Sequence, residues 1–314
     1  GVVQLKIVEE SRRRSERDSQ NEDVLLSRQI DVFDQHFSAY ASAFQIYGAT
    51  SGLTGGLDSR LLFLILRRHF ENLQLYMNTY NPESTECSLA RAFASEAEAD
   101  FNCITSGRPR DIPDQEMRRI LSDGFHFWDG VTRLHHLWIE ERKSRDYLKR
   151  IYENSRLGFS GVGGERFRNE DGLISIIYPF NSWIRHEILR ANSGKVIASR
   201  DEDIRLVNRL IGKIANYLGV SAGSRMILKS QIRSYNSRYF NITNRTLRNA
   251  AENQLCYFLS PFVEPSVSIL PDWRLGSHME VELELIRILG PELEQMPTSY
   301  GFRPADGPSL APRF

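Results

Sequence analysis

Apolar and polar positions along the chain follow two periodicities. From Val24 to Phe44 the apolar residues recur every three or four positions, which predicts an amphipathic helix. Beyond that helix, short β-favouring runs alternate with helical stretches. Strands are predicted at 45–50, 73–80, 101–106 and 156–161, and helices at 58–70, 84–99 with Ser84 as its cap, 113–123 and roughly 131–153. Strand–helix alternation with short connections predicts an α/β fold, in which a parallel sheet carries helices on both faces.

The pattern changes after about residue 180, where helical runs dominate and few strand patterns appear. We therefore expect four segments along the chain. They are a linker or the remnant of an upstream domain at 1–23, an α/β core at 24–180, a mainly helical part at 181–300 and an irregular tail at 301–314. The first segment contains the run "SRRRSERDSQNED", whose mixed charge and lack of apolar residues are typical of a solvated linker.

Composition restricts the class of protein. The 314 residues include 40 Lys and Arg and 40 Asp and Glu, so no net charge draws the chain to nucleic acid or to an anionic membrane. No apolar run is long enough to span a membrane, and three cysteines without a C-x-x-C spacing argue against a disulfide framework or a zinc site. We therefore predict a cytoplasmic protein without a membrane partner. One local exception is 204–251, which holds nine Lys or Arg and no acidic residue; it either faces a polyanion or pairs with acids elsewhere in the fold.

The stretch "SGLTGGLDSR" (51–60) carries the clearest candidate chemistry, because it lies between a predicted strand and a predicted helix. Backbone N–H groups at such a turn, together with the positive end of the helix dipole, stabilise an anion. Gly55 and Gly56 allow a phosphate to approach the backbone, and Thr54 and Ser59 add hydroxyl donors. The carboxylate of Asp58 would repel a phosphate unless Mg²⁺ lies between them. The alternative is a structural role, in which Asp58 or Thr54 is only the N-cap of the helix.

A second glycine turn, "GVGGE" (161–165), follows the predicted strand 156–161. Parallel α/β sheets bind ligands beyond the carboxyl ends of their strands. Both glycine turns are predicted to lie at such ends. We therefore expect them to belong to one site.

Four motifs in order resemble the synthetase domain of the asparagine synthetase-like family. "LTGGLDS" (53–59) closely resembles the S-G-G-x-D-S pyrophosphate loop (PP-loop) of N-type ATP pyrophosphatases, and "SGVGGERF" (160–167) resembles the family's G-E-G-x-D-E turn. "LSPFVEPSVSILP" (259–271) is similar to its P-F-L-D segment, and "LGPELEQMP" (289–297) to its closing stretch. The first motif is specific, and the other three are loose individually.

The resemblance implies a fold, a reaction and a set of site residues. It implies a five-stranded parallel sheet of the adenine nucleotide alpha hydrolase kind with a helical C-terminal part. It also implies a ligase that uses ATP and Mg²⁺ to adenylate a carboxylate, releases pyrophosphate and lets ammonia or an amine displace AMP. Nucleotide-binding residues carried over by the resemblance are Leu53, Thr54, Gly55, Gly56, Asp58, Ser59, Asn78, Tyr80 and Gly163, and Asp58 and Glu165 would also bind Mg²⁺ and serve catalysis.

Two positions depart from the family pattern. Val162 stands where the family has a glutamate associated with proton transfer, and valine cannot move a proton. The family's late lysine, which stabilises the adenylation transition state, is absent because no lysine follows Lys229. An arginine such as Arg274 or Arg287 is expected to take that role, and Arg274 is the catalytic candidate. No glutaminase cysteine opens the chain. An N-terminal glutaminase domain outside this sequence is therefore an expected partner, the alternative being direct use of ammonia or another amine.

Three functions therefore remain open from the sequence. The leading hypothesis is an amide-forming synthetase that acts on a small carboxylate. The second is a non-catalytic nucleotide-binding or interaction protein derived from the same family, which Val162 and the missing lysine favour. The third is a pyrophosphatase that modifies tRNA or a nucleobase, which the basic stretch 204–251 supports and the segment "PFVEP" opposes.

Overall fold

A computed structural model describes eleven parts of the chain. They are residues 22–44, 47–108, 111–128, 141–153, 157–167, 177–189, 199–221, 223–235, 251–264, 266–267 and 279–307. The chain divides into two compact units, one formed by residues 1–168 and 242–314 and the other by residues 169–241. The four-segment division expected above stays a prediction.

Seven strands are present in these parts of the chain. In chain order they are β1 (Ala49–Gly52), β2 (Leu73–Thr79), β3 (Phe101–Thr105), β4 (Leu157–Phe159), β5 (Ile177–Pro179), β6 (Met226–Leu228) and β7 (Tyr257–Leu259). Five of them form one sheet in the order β3-β2-β1-β4-β7, and every neighbouring pair in it is parallel. The predicted fold class, a five-stranded parallel α/β sheet, is therefore confirmed.

Nine α-helices are present in the described residues, the first before β1 and the others between or after the strands. They are α1 (Glu22–Phe44), α2 (Leu57–Leu66), α3 (Thr85–Glu96), α4 (Asp114–Phe127), α5 (Arg145–Tyr152), α6 (Phe180–Trp183), α7 (Arg200–Leu218), α8 (Lys229–Tyr235) and α9 (Glu280–Leu289). A π-helical segment, Ile184–Leu189, continues α6, and short 3₁₀ segments occur at Glu141–Lys143, Gly164–Phe167, Pro261–Val263 and Pro291–Leu293. Within the described residues, no helix is both long and apolar enough to cross a membrane.

Helix α2 is the centre of the larger unit. Nine of its ten residues are buried, including every leucine. It packs against α1, β1 and α9, so it has neighbours on several sides. A helix surrounded in this way needs apolar residues on every side, which "LLFLIL" (61–66) supplies. Its start is therefore held in a fixed position at the end of β1.

Most predicted elements of the core are present with shifted ends. Of the strand predicted at 45–50, residues 45–46 lie outside the described part, and β1 begins at Ala49, directly after Gly48, whose backbone is left-handed with φ of +67°. Helix α4 continues past the predicted end at residue 123 to Phe127. Of the helix predicted at 131–153, residues 131–140 lie outside the described part, and a 3₁₀ segment and α5 occupy most of the rest.

The smaller unit contains one feature that the sequence pattern did not reveal. Strands β5 and β6 pair antiparallel, with Ile177 opposite Leu228. Buried side chains of α6 and α7, among them Trp183 and Ile214, form a separate hydrophobic cluster with Ile227 of β6. Each strand has only three residues, which is too short for an alternating pattern to stand out.

Candidate functional site

The strand order places a crevice at the ends of β1 and β4. From β1 the chain proceeds outward through β2 and β3 on one side, whereas β4 and β7 lie on the other side of β1. The direction of winding therefore reverses between β1 and β4. Open α/β sheets bind ligands at this switch point, beyond the carboxyl ends of the strands. Both glycine turns begin there, one after β1 and the other after β4.

The first glycine turn is held by hydrogen bonds between its own residues. The N–H of Thr54 donates to Oγ of Ser59 at 3.0 Å, and the two hydroxyl oxygens also lie 3.0 Å apart. The N–H of Gly56 donates to Oγ1 of Thr54 at 3.1 Å. These bonds fold residues 54–59 into a compact loop whose hydroxyl groups are fixed in place.

Helix α2 starts at this loop without a side-chain cap. Its N-cap residue is Gly56, with φ of −81°, and no side chain caps the first turn. The alternative, in which Asp58 or Thr54 is the N-cap, is therefore wrong. By contrast, serine side chains cap α3, α5 and α7, and the predicted cap at Ser84 is confirmed. The first turn of α2 carries Asp58 but no capping side chain, and the positive end of a helix dipole favours an anion.

The second glycine turn packs directly on the first. A Cβ atom at Gly164 would lie 2.3 Å from Oδ1 of Asp58, and one at Gly161 would lie 2.9 Å from the Asp58 carbonyl oxygen. Gly163 has φ of +107°, and a Cβ there would lie 2.8 Å from the backbone of Phe262. Only glycine fits at these positions. The two turns predicted to share a site are therefore in contact around Asp58.

A cavity of about 290 Å³ opens between the two turns and the ends of the strands. This volume is near the lower end of the range of about 300–1,000 Å³ that ligand pockets occupy. Five of the predicted nucleotide-binding residues line it, and they are Thr54, Gly56, Asp58, Ser59 and Asn78. The remaining lining residues are Gly52, Tyr76, Met77, Phe159, Ser160, Gly161, Val162 and Phe258.

Four other predicted residues do not line the cavity. Leu53 is wholly buried in the core, so any contact it makes with a ligand would involve its backbone. Gly55 packs against Ser299, and Tyr80 lies under the guanidinium of Arg142, 4.4 Å from the ring centroid. The fourth is Gly163, which packs on the backbone of Phe262 as noted above.

The remaining candidates concern metal binding and catalysis. Glu165 belongs to the 3₁₀ segment Gly164–Phe167, which begins beside Asp58, and its side chain is outside the described part. Arg274 lies outside the described residues. Arg287, the other arginine considered for the missing lysine, donates through Nε and Nη2 to the carbonyl oxygen of Pro304 at 2.8 and 2.6 Å.

The described residues contain no group of three or more His, Cys, Asp or Glu that could hold a metal by itself. Magnesium does not need such a group, because it usually takes one or two carboxylates together with substrate phosphates. The carboxylate of Asp58, placed between two turns of small residues, fits that donor set. The site is therefore compatible with magnesium brought in with a phosphate ligand.

Aromatic residues that the sequence did not point to line the cavity or contact the residues that do. Behind Tyr76 and Phe258, the hydroxyl of Tyr152 donates to the buried carboxylate of Glu252 at 2.5 Å, and burial raises the pKa of Tyr152. The hydroxyl of Tyr147 donates to Oδ1 of Asn78 at 2.9 Å.

Burial also raises the pKa of Tyr147, so it remains a donor at neutral pH and fixes the Asn78 amide. No sequence signal marked Tyr76 or Tyr147. Their contacts join residues that are distant along the chain.

Comparisons with known proteins give little further information. No protein-family profile matches the chain, and no curated protein sequence matches it. Among solved structures, the chain is similar to the NH3-dependent NAD synthetase from Campylobacter jejuni, solved in complex with a nitrate ion. That match has 15% sequence identity and a TM-score of 0.32, and it covers 72% of this chain and 95% of the synthetase. A likeness at this level does not bear on function, which has to be inferred from the site.

Proposed function

We propose that this chain is an ATP- and Mg²⁺-dependent synthetase of the asparagine synthetase-like kind, which adenylates a carboxylate and forms an amide. One observation carries the proposal. An uncapped, glycine-rich strand–turn–helix, whose sequence resembles a PP-loop, lies at the switch point of a parallel sheet, and its hydroxyl and carboxylate groups line one cavity. The second glycine turn of the expected family series contacts the same carboxylate, which further supports the proposal.

In this proposal the loop binds the pyrophosphate end of ATP. Backbone N–H groups at the start of α2 and the hydroxyls of Thr54 and Ser59 would hold the phosphate oxygens. Asp58, together with Glu165, would bind magnesium, and the bound ion neutralises phosphate charge. Asn78, fixed by Tyr147, would face the adenosine side with Tyr80 and the backbone of Leu53. Catalysis would then consist mainly of positioning and charge stabilisation, with Arg274 near the reacting phosphoryl group.

A second candidate is a nucleotide-binding protein without amide-forming activity. The observation that favours it is Val162, which lines the cavity at the position of the family's proton-transferring glutamate. A valine can neither accept nor donate a proton there. In this case the chain would bind a nucleotide and use its helical part to bind partners.

Exchange of radiolabelled pyrophosphate into ATP separates the two candidates. Adenylation is reversible, so a synthetase incorporates label into ATP when its carboxylate substrate is present. We would screen amino acids and other small carboxylates in pools, with Asp58→Ala as the control. Pyrophosphate exchange that occurs only with one pool of carboxylates, and that is lost in Asp58→Ala, supports the synthetase. Binding of Mg–ATP without exchange in any pool supports the second candidate, and absence of ATP binding contradicts both.

A further inference from the structure

A turn near the C-terminal end of the chain packs on the first glycine turn. We call residues 298–302 the C-terminal turn. The N–H of Ser299 donates to the carbonyl oxygen of Gly55 at 2.8 Å. A Cβ atom at Gly55 would lie 3.0 Å from Cβ of Ser299, so the two backbones approach as closely as a glycine permits. The C-terminal turn therefore contacts the loop at a residue that does not line the cavity.

The C-terminal turn is itself tightly bonded. Thr298 is buried, and its Oγ1 donates to the carbonyl oxygen of Phe302 at 2.7 Å and accepts from the N–H of Tyr300 at 3.3 Å. The N–H of Thr298 also donates to the Phe302 carbonyl, at 2.9 Å. Gly301 has φ of +83°, which favours glycine at this position. A turn bonded in this way can hold the Ser299 amide in one direction.

Arg60 ties the residues just before this turn to the start of α2. Its side chain is wholly buried, although it follows Asp58 and Ser59 directly in the sequence. Nη1 donates to the carbonyl oxygen of Met296 at 3.1 Å, and Nη2 donates to that of Pro297 at 2.6 Å. Burial lowers the pKa of Arg60 to about 10, so the guanidinium is still charged at neutral pH. Hydrogen bonds from a charged, buried donor are stronger than neutral ones.

These contacts determine the orientation of the peptide between Gly55 and Gly56. In a trans peptide the C=O and the following N–H point in opposite directions. With the Gly55 oxygen bonded to Ser299, the Gly56 N–H faces Thr54, which lines the cavity. Because glycines flank this peptide on both sides, it could turn over at little steric cost. The reversed peptide would direct a carbonyl oxygen toward the cavity, where it would repel a phosphate.

We propose that the C-terminal turn is a latch that keeps the Gly55–Gly56 peptide in the observed orientation, with the Gly56 N–H on the Thr54 side, and that Arg60 is the residue that positions this latch. The consequence for ATP rests on the proposed function, whereas the latch itself does not. Arg60 acts through the turn and is not expected to contact the nucleotide.

Two matched pairs of variants test the latch. Ser299→Pro removes the N–H that holds Gly55, whereas Ser299→Ala keeps it. Arg60→Met removes the bonds to Met296 and Pro297. Its control is Arg67→Met at the C-cap of the same helix, since Arg67 binds Glu292 and the Leu289 carbonyl, away from the turn.

Affinity for Mg–ATP should fall at least tenfold in Ser299→Pro and Arg60→Met, and stay within twofold in the two controls. All four are measured well below their melting temperatures. The latch proposal would be contradicted if both test variants bound Mg–ATP as tightly as the wild type, or if Arg67→Met lost as much affinity as Arg60→Met.

Hydrogen exchange in the free protein separates failure of the latch from failure of the proposed function. The Ser299 amide should exchange at least tenfold faster in Arg60→Met than in the wild type, and at an unchanged rate in Arg67→Met. If the wild type does not bind Mg–ATP, the proposed function is contradicted, and the hydrogen-exchange rates still test whether the latch exists. If the wild type binds Mg–ATP but the Ser299 amide exchanges at the same rate in Arg60→Met and in the wild type, only the latch proposal is contradicted.

Discussion

The two glycine turns at the switch point use glycine for different physical reasons. In the first turn, hydroxyls of Thr54 and Ser59 bond to the loop itself, and the start of α2 is left without a side-chain cap. In the second turn, Gly161 and Gly164 are needed because their backbones lie against Asp58. The first turn therefore presents polar groups to the cavity, whereas the second supports the residue that would carry the metal. A glycine-rich motif alone does not distinguish these two roles.

The largest effect is expected from Gly164→Ala. The added methyl would lie 2.3 Å from Oδ1 of Asp58, so the carboxylate has to move. We expect overpacking to cost about 1–3 kcal/mol, and Mg–ATP affinity to fall roughly tenfold to hundredfold, at about 1.4 kcal/mol per factor of ten. Isothermal titration calorimetry and urea unfolding measure the two effects.

Gly212→Ala is the matched control for that change. Gly212 lies in α7, and nothing is within 4 Å of an added Cβ. This variant should be more stable than the wild type by about 0.5–1 kcal/mol, and its ATP affinity should not change. Undiminished nucleotide affinity in Gly164→Ala would show that the second turn does not support Asp58.

Ser59→Ala should have an intermediate effect on the first turn. It removes the acceptor of the Thr54 N–H and the neighbour of the Thr54 hydroxyl. We expect a loss of about 1 kcal/mol in the free energy of unfolding, and a fivefold to tenfold weaker affinity for Mg–ATP because a phosphate donor is also lost. Ser38→Ala removes an exposed hydroxyl on α1, bonded to the Gln35 carbonyl, and serves as the control. Equal affinities of the two variants would contradict the proposed role of Ser59.

Val162→Ala should have the smallest effect. Val162 lines the cavity, but the second turn supports Asp58 through the close contacts of Gly161 and Gly164 and not through the Val162 side chain. We expect a change of about 0.5 kcal/mol or less, which corresponds to an ATP affinity within about twofold of the wild type. A loss of tenfold or more in the same titration would show that this side chain contacts the nucleotide, and the distinction between the two turns would weaken.

Local signals in the sequence were sufficient to predict most helices and strands of the α/β core. Alternating runs and a serine cap predict β2 and α3, because these signals act within a few residues. The fifth strand, β7, was expected only from the family resemblance, since its three residues "YFL" carry no distinct pattern. The pairing of β5 with β6 was missed for the same reason.

The sequence predicted those residues of the candidate site that follow one another along the chain. Thr54 to Ser59 form one motif, and most of that motif lines the cavity. Arg60 would have been read as an ordinary charged helix residue, yet it is wholly buried. Its partners are carbonyl groups more than 230 positions away. Contacts of this kind depend on how distant segments pack, which no local pattern encodes.

Calorimetric titration of ATP with and without Mg²⁺, on the wild type and on Asp58→Asn, tests the central claim most directly. Asparagine keeps the shape of the side chain beside Gly164 and removes its charge. Our account predicts binding that depends on Mg²⁺ in the wild type and loses that dependence in the variant. Absence of ATP binding under both conditions, or equal Mg²⁺-dependent binding by both proteins, would contradict it.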